Sequence, residues 1–141
     1  MILLDTDHLT VLRYADHRSY VTLIARLDAA GDSEIATSIV SVEEQMRGWL
    51  AEIHRRRTIR DQMVAYDRLL QLVELLADWE VVRLDEAAAA EFDRLKQQRV
   101  RVGSQDLKIA AIALANDALL LSANIADFTQ IPGLRVENWL E

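Results

Sequence analysis

Short apolar runs and helical patterns alternate along this chain, and that alternation limits the folds open to it. Met1-Ile-Leu-Leu4, Glu34-Ile-Ala-Thr37, Glu80-Val-Val-Arg-Leu84 and Ala118-Leu-Leu-Leu-Ser122 read as strands, with a fifth, edge strand at Leu134-Arg-Val136. Helical patterns fill the intervals: Leu9 to Tyr14, Tyr20 to Leu27, Ser41 to His54, Thr58 to Asp78, Glu86 to Gln98 and Ser104 to Asn116. Strands separated by helices build a mostly parallel twisted sheet with helices on both faces. Crossovers in such a sheet are right-handed. The expectation is a three-layer α/β fold of about five strands, as a single domain over residues 1–141. One proline and four glycines are too few for a turn-rich β sandwich, and 51% hydrophobic residues are enough for a sizeable core. The absence of cysteine excludes disulfides and thiolate metal sites. No apolar run approaches the ~20 residues of a membrane span. Met1-Ile-Leu-Leu-Asp5 lacks the basic start of a signal peptide. These features predict a soluble cytoplasmic protein with no membrane contact.

Several local signals refine the pattern. Ser41-Val-Glu-Glu44 reads as a capping box, with Glu44 reaching back to the serine that opens the helix. Ser104 reads as the cap of a helix containing Ile109-Ala-Ala-Ile-Ala-Leu114, apolar nearly all round and expected to be buried. Met63, Tyr66, Leu70, Val73 and Leu76 or Ala77 mark one apolar face of the longest helix. That helix and the one before it are expected to form a hairpin around an arginine cluster. Trp139 is expected to pack as a closing residue.

Four acids stand out in this arrangement. Asp5 follows the first strand directly. Glu44 lies in the first turn of the helix entered after the second. Asp106 opens the helix that feeds the fourth strand, and Asp127 lies in the loop after it. Sites in open α/β sheets form beyond the carboxyl ends of the strands, so the four should share one edge. Like charges so gathered repel and raise each other's pKa. A hard divalent cation relieves that cost through oxygen ligands. Asp7 and Glu43 are further candidates, although Glu43 points about 100° away from Glu44 on a helix. Thr6, Ser122 and Asn124 are expected to add supporting neutral contacts. Each acid also has a plainer use. Asp5, Thr6 or Asp7 serves as a helix cap, Glu44 as part of its box, Asp106 as a first-turn acid favoured by the helix dipole, and Asp127 in a turn.

The net charge of −7 argues mildly against broad nucleic-acid binding, but the positive charges are clustered. His54, Arg55, Arg56 and Arg57 are consecutive, with Arg47 and Arg60 nearby; Arg94, Lys96, Arg99, Arg101 and Lys108 form a second stretch. Solvated helix faces explain both. Local patches also steer a phosphate polymer on an acidic protein, and Arg47, Arg55, Arg56, Arg57 and Lys108 are the candidates for RNA contact.

The chain resembles a PIN-domain ribonuclease, specifically a VapC-type toxin of a type II toxin–antitoxin pair, over essentially its whole length. Leu3-Leu-Asp-Thr-Asp-His-Leu9 resembles the family's opening strand and first acid. Thr37-Ser-Ile-Val-Ser-Val-Glu-Glu-Gln-Met-Arg-Gly48 resembles the second motif, with Glu44 four residues before the glycine. Asp106-Leu-Lys-Ile-Ala-Ala111 resembles the third, and Leu121-Ser-Ala-Asn-Ile-Ala-Asp-Phe128 with Ile131-Pro-Gly-Leu-Arg-Val136 the closing segment. Ser122 stands where the family often has threonine, and Gln45 where it usually has an apolar residue. The resemblance implies a PIN-like fold and endonucleolytic RNA cleavage dependent on Mg²⁺ or Mn²⁺. Asp5, Glu44, Asp106 and Asp127 would be the catalytic acids, and Asp5 and Asp106 the principal metal ligands. It also implies a VapB-like antitoxin as partner, blocking the acidic site, and a homodimer. Two rivals remain at this point: a PIN-type module that binds RNA or protein without cutting, and a haloacid-dehalogenase-like phosphatase suggested by Asp5-Thr-Asp7. His8, His17 and His54 are not spaced as a metal site, and His8 is expected at the surface or in a cap. Trp49, Trp79 and Trp139 are expected in the core or an interface.

Overall fold

The computed structural model describes residues 1–31 and 34–141. Its five strands are β1 (Ile2–Leu4), β2 (Ile35–Ser38), β3 (Glu80–Val82), β4 (Leu119–Leu121) and β5 (Arg135–Glu137). They form one sheet in the order β3-β2-β1-β4-β5, and every neighbouring pair is parallel. The chain builds outward from β1 in one direction, then returns to its other side with β4. The C-terminal ends of β1 and β4 therefore flank the point where strand order reverses, the usual ligand crevice of such a sheet.

Period-two alternation sends the β1 side chains to opposite faces. Leu3 joins Ala36, Leu120 and residues of α5 (Glu86–Gln97) and α6 (Ser104–Ala115) in one core. Ile2 and Leu4 join Leu121, Trp139 and residues of α1 (Thr6–Arg13) and α2 (Tyr20–Ala30) in the other. The three layers expected from the alternation are present. Leu107 and Ile109 to Ala113 are buried, as the apolar run predicts, and Trp139 closes the second core. α3 (Ile39–Arg55) and α4 (Ile59–Ala77) form the expected hairpin. Helix α2 ends at Gly31, whose φ of 66° is a left-handed conformation that glycine adopts without a side-chain clash.

Four local readings are corrected. Helix α1 begins at Thr6, not Leu9, because the Asp5 carboxylate caps it by accepting from the Thr6 N–H. Helix α3 is capped by Ser38, whose hydroxyl accepts from the Ser41 N–H at 3.0 Å; Ser41 lies inside the helix, and no capping box forms. Gly103, not Ser104, precedes the first turn of α6, and no side chain caps it. Asp127 sits in a one-turn helix, α7 (Ile125–Phe128), rather than a loop. The Ser38 cap is tested by stability: Ser38→Ala is expected to cost about 1 kcal/mol in urea unfolding and Ser41→Ala less. The reverse order would restore the capping-box reading.

Candidate active site

The crevice at the C-terminal ends of β1 and β4 collects the four predicted acids through a continuous hydrogen-bond network. The Asp5 N–H donates to the carbonyl of Leu121, fastening the end of β1 to β4. One Asp5 carboxylate oxygen accepts from Thr6 N–H at 2.7 Å and the other from Ser122 Oγ at 2.8 Å. Ser122 Oγ in turn accepts from the Asn124 N–H at 3.0 Å. The Asn124 side-chain amide donates to both Asp106 and Asp127, each at 3.1 Å. On the other side, Thr6 Oγ1 donates to Glu44 at 2.8 Å. Thr6, Ser122 and Asn124 thus act as the joints, and Glu44, Asp5, Asp106 and Asp127 as the four corners.

Electrostatics records the crowding. Asp5 is 7% exposed, and its pKa is pushed up to about 6 by burial first, then by the charges of Asp7 and Glu44. The bonds from Ser122 and Thr6 oppose that rise without cancelling it. Asp106 is also raised, by burial, then by Glu44 and Asp127. A carboxylate held out of water beside others is disfavoured as an anion, and an added cation is the direct remedy.

The donor chemistry fits a hard divalent cation: four carboxylates, an amide and two hydroxyls, with no sulfur ligand. The spacing is open. Among the described residues no three acids or histidines are gathered closely enough to close around one ion. The Asn124 amide bridges Asp106 and Asp127. An ion held among these acids would take part of its shell from water, which Mg²⁺ ordinarily retains.

Asp7 and His8 have a different role from the one their positions suggested. His8 is fully buried, not at the surface. Its Nδ1 meets Asp7 at 2.6 Å, and its Nε2 accepts from the Trp139 N–H at 3.0 Å. That acceptor role assigns the proton to Nδ1. The second Asp7 oxygen accepts from the Ala123 N–H at 2.9 Å. These bonds hold Asp7 below the usual carboxylate range despite burial; His8 contributes most to the lowering. Asp7 therefore anchors the loop that carries Ser122 and Asn124, and His8 ties the same anchor to the C-terminal segment. Sequence reading missed this pair because its partners lie more than a hundred positions away. His8→Ala would leave the Trp139 N–H without an acceptor and open a cavity. The expected cost is about 2–4 kcal/mol in urea unfolding; an unchanged midpoint would contradict the anchoring role.

The predicted basic residues divide into two groups. Arg47 pairs with Glu43 at 2.7 Å, Glu43 accepts from Gln105 at 3.0 Å, and Gln105 accepts from Lys108 at 3.1 Å. This chain bridges α3 and α6 immediately beside Glu44 and Asp106. Glu43 is thus a bridge, not a member of the acid cluster. Arg55 and Arg56 both pair with Glu52, and with Arg57 they stand about 16 Å or more along the hairpin from Glu44. A groove of ≈ 320 Å³ runs from Thr6 and Glu44 past Arg13 and Gln45 to Trp49 and Glu52. Arg13 fixes its wall by donating to Gln45 and to the Arg68 carbonyl, each at 3.1 Å, over the Trp49 ring. Gln45, which departs from the apolar residue the resemblance implies, is buried and donates to Thr10 at 3.1 Å.

Residues 2–134 match the model of the PIN domain. The chain belongs to the PIN-domain family. That placement removes the haloacid-dehalogenase reading of Asp5-Thr-Asp7. Among solved structures, the PIN fold of this chain is similar to VapBC2 from Rickettsia felis bound to a DNA fragment from its promoter. The TM-score is 0.72 at 25% identity, covering 99% of both chains. DNA-bound VapBC from Salmonella typhimurium gives a TM-score of 0.71 at 23% identity, again over 99% of each chain. Among curated proteins, a stretch of 45 residues is 44% identical to Ribonuclease VapC2 of Rickettsia felis. That stretch is 32% of this chain and 34% of the relative. Among the described residues no helix is long and apolar enough to cross a membrane.

Proposed function

We propose that this PIN-domain chain is a divalent-metal-dependent endoribonuclease acting as the toxin of a VapBC-type toxin–antitoxin pair. One observation carries the reading: Asp5, Glu44, Asp106 and Asp127 converge from four separate segments onto one crevice, joined by Thr6, Ser122 and Asn124. The short match to Ribonuclease VapC2 and the full-length likeness to a VapBC complex support the substrate class and the pairing.

Bound in the crevice, Mg²⁺ or Mn²⁺ would polarise the phosphodiester and lower the pKa of a bound water. The chain's own residues do the rest. Asp5 and Asp106 would supply the principal ligand oxygens. Thr6 holds Glu44 in one orientation, and Asn124 holds Asp127, so that both carboxylates are set to orient water or complete the ligand shell. Arg47 and Lys108, at the rim, hold the flanking phosphates; they position the strand without reading its sequence. Arg55, Arg56 and Arg57 extend the path along the hairpin.

A VapB-like antitoxin would silence this site from the groove between α1 and α3. Its mouth carries Glu44 and its far end Glu52, so a basic side chain is the natural plug. Cleavage of RNA by the purified chain with Mg²⁺, Mn²⁺ or EDTA tests the proposal. Cutting that requires metal supports it. Tight RNA binding with no cutting under any metal would favour the non-catalytic module instead.

A further inference from the structure

Trp49 belongs to neither core of this fold. It stands half-buried on α3 and lines two neighbouring cavities. One is the groove of ≈ 320 Å³ that begins at Thr6 and Glu44. The other, of ≈ 230 Å³, lies toward the hairpin turn, where Arg56, Arg60 and Asp61 line it. The ring is thus a ridge between the acidic crevice and the turn. Five residues separate it from Glu44, about 7.5 Å along the helix axis, so it stands beside the acids and not among them. Arg13, fixed by Gln45 and the Arg68 carbonyl, extends the same wall 6.0 Å from the ring centroid. Gly48, the next residue, has neither a conformational nor a packing reason to be glycine. It lies in mid-helix without a positive φ, and a Cβ there would meet nothing within 4 Å among the described residues. Alanine would make the better helix. What the missing side chain leaves is room in the groove, which Gly48 lines.

We propose that this room seats a nucleobase of the substrate strand, stacked on Trp49, while the phosphates beyond it run onto Arg56 and Arg60. The proposal rests on the ribonuclease reading and names the part of the substrate that the groove holds. Aromatic rings and guanidinium planes are the surfaces on which proteins stack unpaired bases, and the wall of Trp49 and Arg13 offers both. Charge agrees. The turn from Glu52 to Asp61 carries Arg55, Arg56, Arg57 and Arg60 against Glu52 and Asp61 alone, so it is positive on a chain whose net charge is −7. Arg60 has no ion-pair partner among the described residues. A flat stacking wall that leads onto a positive turn fits a polynucleotide, whose bases and phosphates alternate in the same way. A base inside a duplex has both faces covered by its neighbours, so the groove takes a strand whose base is turned out. The antitoxin proposed for this groove would then exclude substrate directly.

The test reads binding before cutting. A short single-stranded oligoadenylate RNA is titrated into the full chain in EDTA at low salt, and an abasic strand of the same length and charge is the comparison. Oligoadenylate is expected to quench tryptophan emission and the abasic strand to leave it unchanged, because bases stack on the ring and phosphates do not. Trp79 and Trp139 pack in the core with α1 and α2, so the quenching reports Trp49. Trp49→Leu should weaken oligoadenylate binding about tenfold and leave the abasic strand unaffected. Trp49→Phe should keep the affinity within about threefold but lose the quenching, since a phenyl ring still stacks. Gly48→Leu, which fills the groove, should weaken binding about as much as Trp49→Leu with a thermal midpoint equal to or above that of wild type. A wild type that binds both strands alike, or neither, overturns the proposal; so does oligoadenylate binding that Trp49→Leu and Gly48→Leu leave unchanged. RNA cleavage whose KM and kcat both variants preserve would overturn the base site and leave the ribonuclease reading standing. Quenching by oligoadenylate in a chain that cuts no RNA would keep the base site and remove that reading.

Discussion

Asp5→Asn and Asp106→Asn are each expected to lower metal-dependent RNA cleavage by about a thousandfold while leaving the protein folded. The expectation follows from the two roles a carboxylate has in the crevice. As a fold element, Asp5 accepts one bond from Thr6 and one from Ser122. An asparagine keeps one of these acceptors and still caps α1, since Asn and Asp cap helices about equally well. As a ligand it loses its charge entirely. The comparison therefore separates catalysis from folding, and single-turnover cleavage with matched unfolding curves reads both. Asn124→Ala makes a useful contrast. It removes the amide that Asp106 and Asp127 share but no charge, so a smaller loss, about ten- to a hundredfold, is expected. Equal activity in wild type and both carboxylate variants would remove Asp5 and Asp106 from the site.

The second large effect is on stability, and it runs with pH in an uncommon direction. Asp5 binds its proton more tightly folded, at about 6, than at its ordinary value of 3.8. Between those values the native state holds more protons than the unfolded state, so stability falls as pH rises. The loss is complete above the folded value and amounts to about 3 kcal/mol. Asp106 acts in the same direction, whereas Asp7, held low by His8 and Ala123, acts in the opposite direction at more acid pH. In metal-free buffer the unfolding midpoint should therefore drop between pH 4 and pH 7. Asp5→Asn should flatten most of that slope and be more stable than wild type at pH 7.5. Mg²⁺ should raise the wild-type midpoint at pH 7.5 by binding the native state alone, and raise that of Asp5→Asn much less. A wild type whose stability climbs steadily from pH 4 to pH 7 would show that the acids are not crowded as described.

The large features of the fold were legible because they are periodic. Alternating strand and helix patterns place Asp5, Glu44, Asp106 and Asp127 at one edge with no knowledge of side-chain positions. The misreadings cluster where two residues compete for one local job. Ser38 and Ser41 both suit a helix start, and Ser38 takes it because β2 already runs to that position, in register with Val82 of β3. Helix α7 was missed because its four residues are too few to express a period. His8 carried no local signal, since its partner Trp139 arrives from the far end of the chain. On α4 the apolar stripe of Met63, Tyr66, Leu70 and Val73 was plain in the sequence. Its outward direction was not, because hydrophobic periodicity marks a face without saying what covers it.

The most direct test of the central claim is calorimetric titration of Mn²⁺ into the metal-free wild type at pH 6 and pH 8, in pairs of buffers with different ionisation heats. If the four acids form one ion-holding site, binding at pH 6 should release a fraction of a proton, chiefly from Asp5. At pH 8, where Asp5 is already ionised, that release should fall toward zero and the affinity should be higher. Asp106→Asn should weaken binding at both. No binding at either pH, or binding without proton release that Asp106→Asn leaves unchanged, would contradict the assignment of this crevice as the metal site.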